Sequence, residues 1–199
     1  MLKTNKVLLA LSIPLLFMSA QSSFAATTPT SQDVTFSGTL TPSTCTLATD
    51  VMSGSIDLPS VDTLSVPSAS SFAPETAPGG VKFSMVTTGC DANSHIGLQI
   101  TGNTVTADGI QVLKNDQTAK GVAVVIGNIT SNQVVTPLAE GTITPLASCS
   151  DGMSNGCITM TTTSDGQAKW DLAAGIVSTG ETVTAGLVSA QADFQIVYD

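Results

Sequence analysis

The sequence predicts an all-β sandwich, and three observations carry that prediction. Short segments that alternate apolar and polar residues recur along the chain, each closed off by Gly, Pro, Asn or Asp. Past the first 25 residues no segment has a helical period, while Ser, Thr and Gly abound. The last fourteen residues alternate almost without a break. Gly186, Val188, Ala190, Ala192, Phe194, Ile196 and Tyr198 share one face; Leu187, Ser189, Gln191, Asp193, Gln195, Val197 and Asp199 share the other. The apolar face begins with small residues and ends with large ones, so it tapers.

Residues 1–25 read as a secretory signal peptide. Lys3 and Lys6 give the positive start, Val7 to Ala20 the apolar run, and Ser23-Phe24-Ala25 the small residues of a cleavage site. The run is short for a membrane span. The mature chain is expected to begin near Ala26, exported and soluble. Residues 26–32 are polar; Val34, Phe36, Gly38 and Leu40 then alternate with Asp33, Thr35, Ser37, Thr39 and Thr41, up to the breaker Pro42 and Cys45. Cys45 to Val51 and Gly54 to Pro59 read as short strands. Val61 to Gly80, with Pro67, Pro74, Pro78 and a Gly-Gly pair, reads as a long surface connection. Val81 to Cys90 is a strand with Phe83 and Met85 on one face, and His95 to Gly102 is the next, with Ile96, Leu98 and Ile100. Ile110 to Leu113 and Gly121 to Ile126 follow; Val134 to Ile143 is weaker, broken by Pro137. Cys149 to Cys157 is a polar loop, Ile158 to Thr163 is β-prone, and Lys169 to Ala174 leads through a turn at Ser178-Thr-Gly180 to the terminal strand.

Composition excludes several functions. Without the signal the chain keeps four lysines against fifteen acidic residues, a formal balance of −11, and it has no arginine. Nucleic acid, phosphate and anionic membrane surfaces all need clustered cations, so none is a partner. The acidity serves solubility and repulsion between neighbours. His95 is the sole histidine, so no histidine-rich metal site is available. No Gly-x-Ser-x-Gly turn is present, and Asp108-Gly109, Asp151-Gly152 and Asp165-Gly166 read as turn dipeptides rather than catalytic carboxylates. The chain is not expected to be an enzyme and needs no cofactor; Trp170 reads as core. Four cysteines in an exported chain imply two disulfides, with three pairings open.

Both ends of the mature chain resemble pilin subunits of the chaperone–usher pathway. In that family a glycine stands fourteen residues from the end, alternating apolar residues follow it and an aromatic is penultimate; Gly186, Phe194 and Tyr198 occupy those places. An apolar-x-apolar-x-Gly-x-apolar extension precedes the first cysteine, as Val34, Phe36, Gly38 and Leu40 do here. The stretch from Phe83 to Cys90 is similar to the pilin strand that carries the second cysteine. One departure stands out: many pilins carry a tyrosine after the strand that here ends at Ala174, where this chain has Gly175-Ile176-Val177.

The resemblance implies an incomplete immunoglobulin-like β-sandwich lacking its last strand, with residues 26–42 as a donor-strand extension and residues 43–199 as the pilin domain. It implies that Gly186, Val188, Ala190, Ala192, Phe194, Ile196 and Tyr198 line an acceptor groove and form the chaperone-binding strand. Val34, Phe36, Gly38 and Leu40 then fill a neighbour's groove by donor-strand exchange. Cys45 and Cys90 match the family pair, which leaves Cys149 for Cys157; the long bridge stabilises by roughly 4 kcal/mol in the chain-entropy model. The implied partners are a periplasmic pilus chaperone, an outer-membrane usher, neighbouring subunits in a head-to-tail polymer and, for a minor subunit, a host receptor. The implied location is the bacterial cell surface, in a fimbrium. The rival readings are a self-complemented monomeric secreted sandwich, a minor subunit with adhesin activity and a small secreted enzyme.

Overall fold

The computed structural model describes residues 45–50, 54–77, 79–149 and 155–198. The expected signal peptide, the extension with Val34, Phe36, Gly38 and Leu40, and the Asp151-Gly152 turn lie outside the described residues.

Strands are numbered in chain order. The larger sheet runs β1 (Thr46–Thr49), β2 (Val81–Thr88), β10 (Ala168–Ser178), β6 (Val122–Asn128), β5 (Ile110–Lys114), β4 (Thr104–Ala107), with β7 (Gln133–Val135) also on β6. The smaller sheet places β3 (His95–Gly102) between β11 (Ala192–Val197) on one edge and β8 (Leu138–Ala139) and β9 (Cys157–Thr161) on the other. Among the described strands only β8 runs parallel to its neighbour. Phe83 and Met85 of β2, Val124 and Ile126 of β6, and Trp170 and Leu172 of β10 meet Ile96, Leu98 and Ile100 of β3 and Ile158 of β9 in one buried cluster. These are the period-two positions of their strands, so the core follows from the pleat. The Trp170 indole N–H donates to the Ile158 carbonyl at 3.2 Å, satisfying the one polar atom that its burial would strand.

The two disulfides are Cys45–Cys90 and Cys149–Cys157. The Asp108-Gly109 turn joins β4 to β5, with φ of 50° and 79°, the left-handed pair that a two-residue hairpin needs. β4 itself had no sequence counterpart: Thr104 to Ala107 carries little apolar contrast. His95 begins β3 and is exposed.

Three expectations need correction. Residues 61–80 are not a mere surface connection, since they cover the outer face of the larger sheet. Ala69 and Phe72 are buried there against Val112, Ala123, Val125, Ala173 and Val177, a second apolar cluster. Gly175, which lies within β10 although that strand was expected to end at Ala174, is the place this cover requires. A Cβ on Gly175 would come 3.0 Å from Cζ of the Phe72 ring. The expected strand at Gly54 to Pro59 is extended but belongs to neither sheet. The expected terminal strand from Gly186 is a ladder only over Ala192–Val197.

β3 is buried on both faces. On the face away from the core Gln99 donates to the Thr142 carbonyl at 2.5 Å and accepts from the Thr144 N–H at 3.0 Å. That pins the 140–145 segment over the smaller sheet without leaving the buried amide unpaired.

Candidate binding groove

β11 is hydrogen-bonded to β3 along one edge, and among the described residues no strand pairs with its other edge. Across from that edge lies the extended segment 54–61. Between the two is an open groove of about 610 Å³. Phe83, Leu113, Val124, Ile126, Ala174 and Ile176, all from the larger sheet, line it, and they form its floor. Ile56 and Leu58 stand on one wall; Val188, Ala190, Ala192 and Phe194 stand on the other. The sandwich is therefore short of one strand where its core reaches the surface.

Both walls obey period two. Ile56 and Leu58 are half-buried while Ser55 and Asp57 are exposed; Val188, Ala190, Ala192, Phe194 and Ile196 are half-buried while Leu187, Ser189, Gln191 and Asp193 are exposed. Such residues stop at half-burial because the layer that would cover them is missing. The two walls run in opposite senses. Val61 lies against Gly79, just before β2, and Ser178 at the end of β10 donates to the Pro67 carbonyl. Thr184 bridges Lys120, just before β6, and the chain then descends to β11. One end of the groove is thus marked by Gly186 and Val66, the other by Phe194 and Ile56.

The first half of the C-terminal segment is held by the loop 115–120 rather than by a strand. Ala119 N–H donates to the Leu187 carbonyl (3.1 Å) and Asp116 N–H to the Ser189 carbonyl (2.9 Å). Ser189 N–H donates to Asn115 Oδ1 (2.9 Å), and Asn115 Nδ2 donates to the Ala119 carbonyl (2.9 Å), so Asn115 ties loop and segment together. All these bonds use odd-numbered residues of the segment. In an extended chain alternate residues turn their main-chain groups to opposite sides. The N–H and C=O groups of Val188 and Ala190 accordingly face the groove, and among the described residues they make no main-chain bond. The groove offers an apolar floor and a row of unpaired backbone groups together, the combination an added strand satisfies.

Gly186 is at its place because of the loop. A Cβ there would lie 2.8 Å from Ala119 Cα and from the Thr118 carbonyl carbon. Gly186→Val is expected to push the segment off the loop and shift the wall, at a stability cost of about 1–3 kcal/mol. Thermal melting together with the affinity for an added strand checks this; an unchanged melting point and unchanged affinity would mean that the close approach does not matter. At the other end Phe194 meets Phe83 edge-on, centroids 6.1 Å apart and planes at 78°. It provides the large end of the taper.

Of the seven residues expected to line an acceptor groove, Gly186, Val188, Ala190, Ala192 and Phe194 line this one. Ile196 is half-buried against the main core instead, and Tyr198 follows β11 and is 44 % exposed. The sequence did not single out Ile56, Leu58 or Asn115. The alternation at Gly54 to Pro59 was the signal for the first two; an asparagine that ties a loop to a distant segment leaves none. Among the described residues no cluster of His, Cys, Asp and Glu is arranged to hold a metal.

Comparison with known proteins assigns a family. Residues 34–199 match the family model described as fimbrial protein. No curated protein matches the sequence. Among solved structures, the chain is similar to the P pilus rod subunit PapA (20 % identity, 84 % of this chain and 100 % of that one, TM-score 0.46). It is also similar to the CupB6 tip adhesin from Pseudomonas aeruginosa (18 %, 63 % and 32 %, 0.43) and to a Burkholderia pseudomallei antigen and type I fimbria protein (21 %, 78 % and 100 %, 0.41).

Proposed function

This chain belongs to the fimbrial protein family, and on that premise we propose that it is a structural subunit of a chaperone–usher fimbria that polymerises by donor-strand exchange. The observation that carries the mechanism is the open edge of β11, set over an apolar floor and faced by a segment that has no sheet of its own. Val34, Phe36, Gly38 and Leu40 of a second copy enter as the missing strand, antiparallel to β11. Nine residues, Asp33 to Thr41, span about 30 Å as a strand, close to the run from Gly186 to Phe194. Before that exchange a periplasmic chaperone supplies a temporary strand, and an outer-membrane usher is where the replacement takes place. The finished filament lies on the bacterial surface. Its role is mechanical, supporting adhesion, with no reaction catalysed; a host receptor would be the partner of a minor subunit.

Chain reach supports insertion in trans. In the antiparallel sense Leu40 leaves the groove at its Gly186 end. Cys45, bonded to Cys90 beside Gly166, belongs to the opposite end of the sandwich, the length of β10 away. The eleven residues of β10 span roughly 33 Å, whereas the five steps from Leu40 to Cys45 reach at most about 18 Å. The strand therefore serves a neighbour, and because donor and acceptor differ, the contact repeats without closing.

The test uses the mature chain kept dilute and a labelled peptide of residues 33–41. The peptide is expected to bind one to one and to slow amide exchange at residues 186–196. A groove already protected before peptide is added, with no peptide bound, would instead establish the self-complemented monomer.

A further inference from the structure

We propose that the Cys149–Cys157 disulfide is a positioning clasp that seats the end of β11 on β3 and so fixes the half of the acceptor groove around Phe194. The proposal rests on the donor-strand reading above. β9 and β11 pair with opposite edges of β3. Cys157 is a β9 residue, paired with Gln99, and it is buried. From there the disulfide reaches over β3 at Gly97. A Cβ on Gly97 would stand 2.8 Å from Cys157 Sγ, 3.1 Å from Cys149 Sγ and 2.9 Å from Val197 Cγ2. Both sulfurs and the Val197 side chain thus share the space that this glycine leaves free, and a side chain there would push them away.

Val197 is the apolar residue on the otherwise polar face of β11. That face is exposed at Asp193 and half-buried at Gln195 and Val197. The chain around the disulfide is held to β3, since Gln99 binds Thr142 and Thr144, and Ile100 N–H donates to the Gly156 carbonyl at 2.6 Å. Those bonds stop at β3; the disulfide meets the strand beyond it. β11 needs such a hold, because it has six residues and is hydrogen-bonded to β3 alone among the described strands. A slip of one residue along β3 would turn Ile196 out of the core and into the place of Val197. Val197 packed against the sulfurs opposes that slip. In the antiparallel sense Val34 of the donor lies toward Phe83 and Phe194, the end that the clasp fixes. Leu40 lies toward Gly186, the end that the loop 115–120 holds. The two halves of this wall therefore have separate anchors.

The experiment compares the oxidised mature chain with two variants. Cys149→Ser/Cys157→Ser opens the clasp; Val197→Ala keeps the disulfide and removes what it grips. Amide exchange at residues 192–197 is expected to quicken about tenfold in both, while β6 and β10 keep the parent's protection. Labelled peptide 33–41 should leave either variant about tenfold faster than it leaves the parent. A Val34→Ala peptide should lose most of that difference, because it no longer reaches the loosened end, whereas a Leu40→Ala peptide should show it in full. Unchanged exchange at 192–197 in Val197→Ala would overturn the clasp. Faster exchange throughout the domain, with the same loss for both altered peptides, would also overturn it, since the disulfide would then support the fold in general. Failure of the parent itself to bind peptide would instead remove the donor reading, and with it the groove as what the clasp serves.

Discussion

Deleting residues 26–41 is expected to end head-to-tail assembly completely while leaving a folded, chaperone-competent domain. The deleted segment lies before the first strand of the sandwich, and both disulfides and every core residue remain. What is lost is the donor. Burial of Val34, Phe36 and Leu40 contributes ~5–8 kcal/mol before ordering costs, at ~1.5–3 kcal/mol per side chain. The main-chain bonds to Val188 and Ala190 add to that. The truncated chain keeps its groove, so it accepts a strand from a full-length copy and terminates growth at one end. Size exclusion and electron microscopy of truncated chain alone, and of sub-stoichiometric mixtures, check both halves. Homopolymers of the truncated chain would show that residues 33–41 are not the donor, and unshortened filaments in the mixture would show that the groove is not the acceptor.

The groove's two walls were legible in the sequence to different degrees. Both alternate with period two, and that pattern reports which residues face a core. It does not report whether a neighbouring strand is present. Gly54 to Pro59 therefore reads as an ordinary strand, although it pairs with neither sheet. At Gly186 to Ser189 the same pattern conceals that the main chain is bound by the loop 115–120, through bonds that need Asn115 and a glycine. The glycine was recognised by its distance from the end; the reason for it, Ala119 pressed against its Cα, is a tertiary contact. The cover over the larger sheet was misread for a different reason. Residues 61–80 are rich in Ser, Pro and Ala, and a segment that buries Ala69 and Phe72 without a regular period gives no signal against that background. Gly175 lies under this cover, since a side chain there would meet the Phe72 ring.

A self-complemented chain is expected to show the largest gain in stability of any variant. Residues 26–41 are removed from the front, and Asp33 to Thr41 is appended after Asp199 through a flexible linker of four to six Gly and Ser residues. β11 descends toward the Phe194 end, so the appended segment starts there and has to turn back only once to run antiparallel to it. A linker of that length has an r.m.s. span of roughly 10–15 Å, enough for the turn. Tethering brings the effective concentration toward the millimolar range, so the strand no longer has to find its partner by diffusion. Val34 then lies toward Phe83 and Phe194 and Leu40 toward Gly186, over a floor that includes Ile126 and Val124. The product should be monomeric without a chaperone. Each kcal/mol gained raises the melting temperature by about 2–4 °C for a domain of this size, so even half of the ~5–8 kcal/mol gives a rise well beyond error. Phe36→Asp in the appended strand should forfeit most of it, because a carboxylate would be buried without a partner. A scrambled strand that raised the melting temperature as much as the native one would mean that the groove does not select these side chains. The gain would then come from the linker and the added backbone alone.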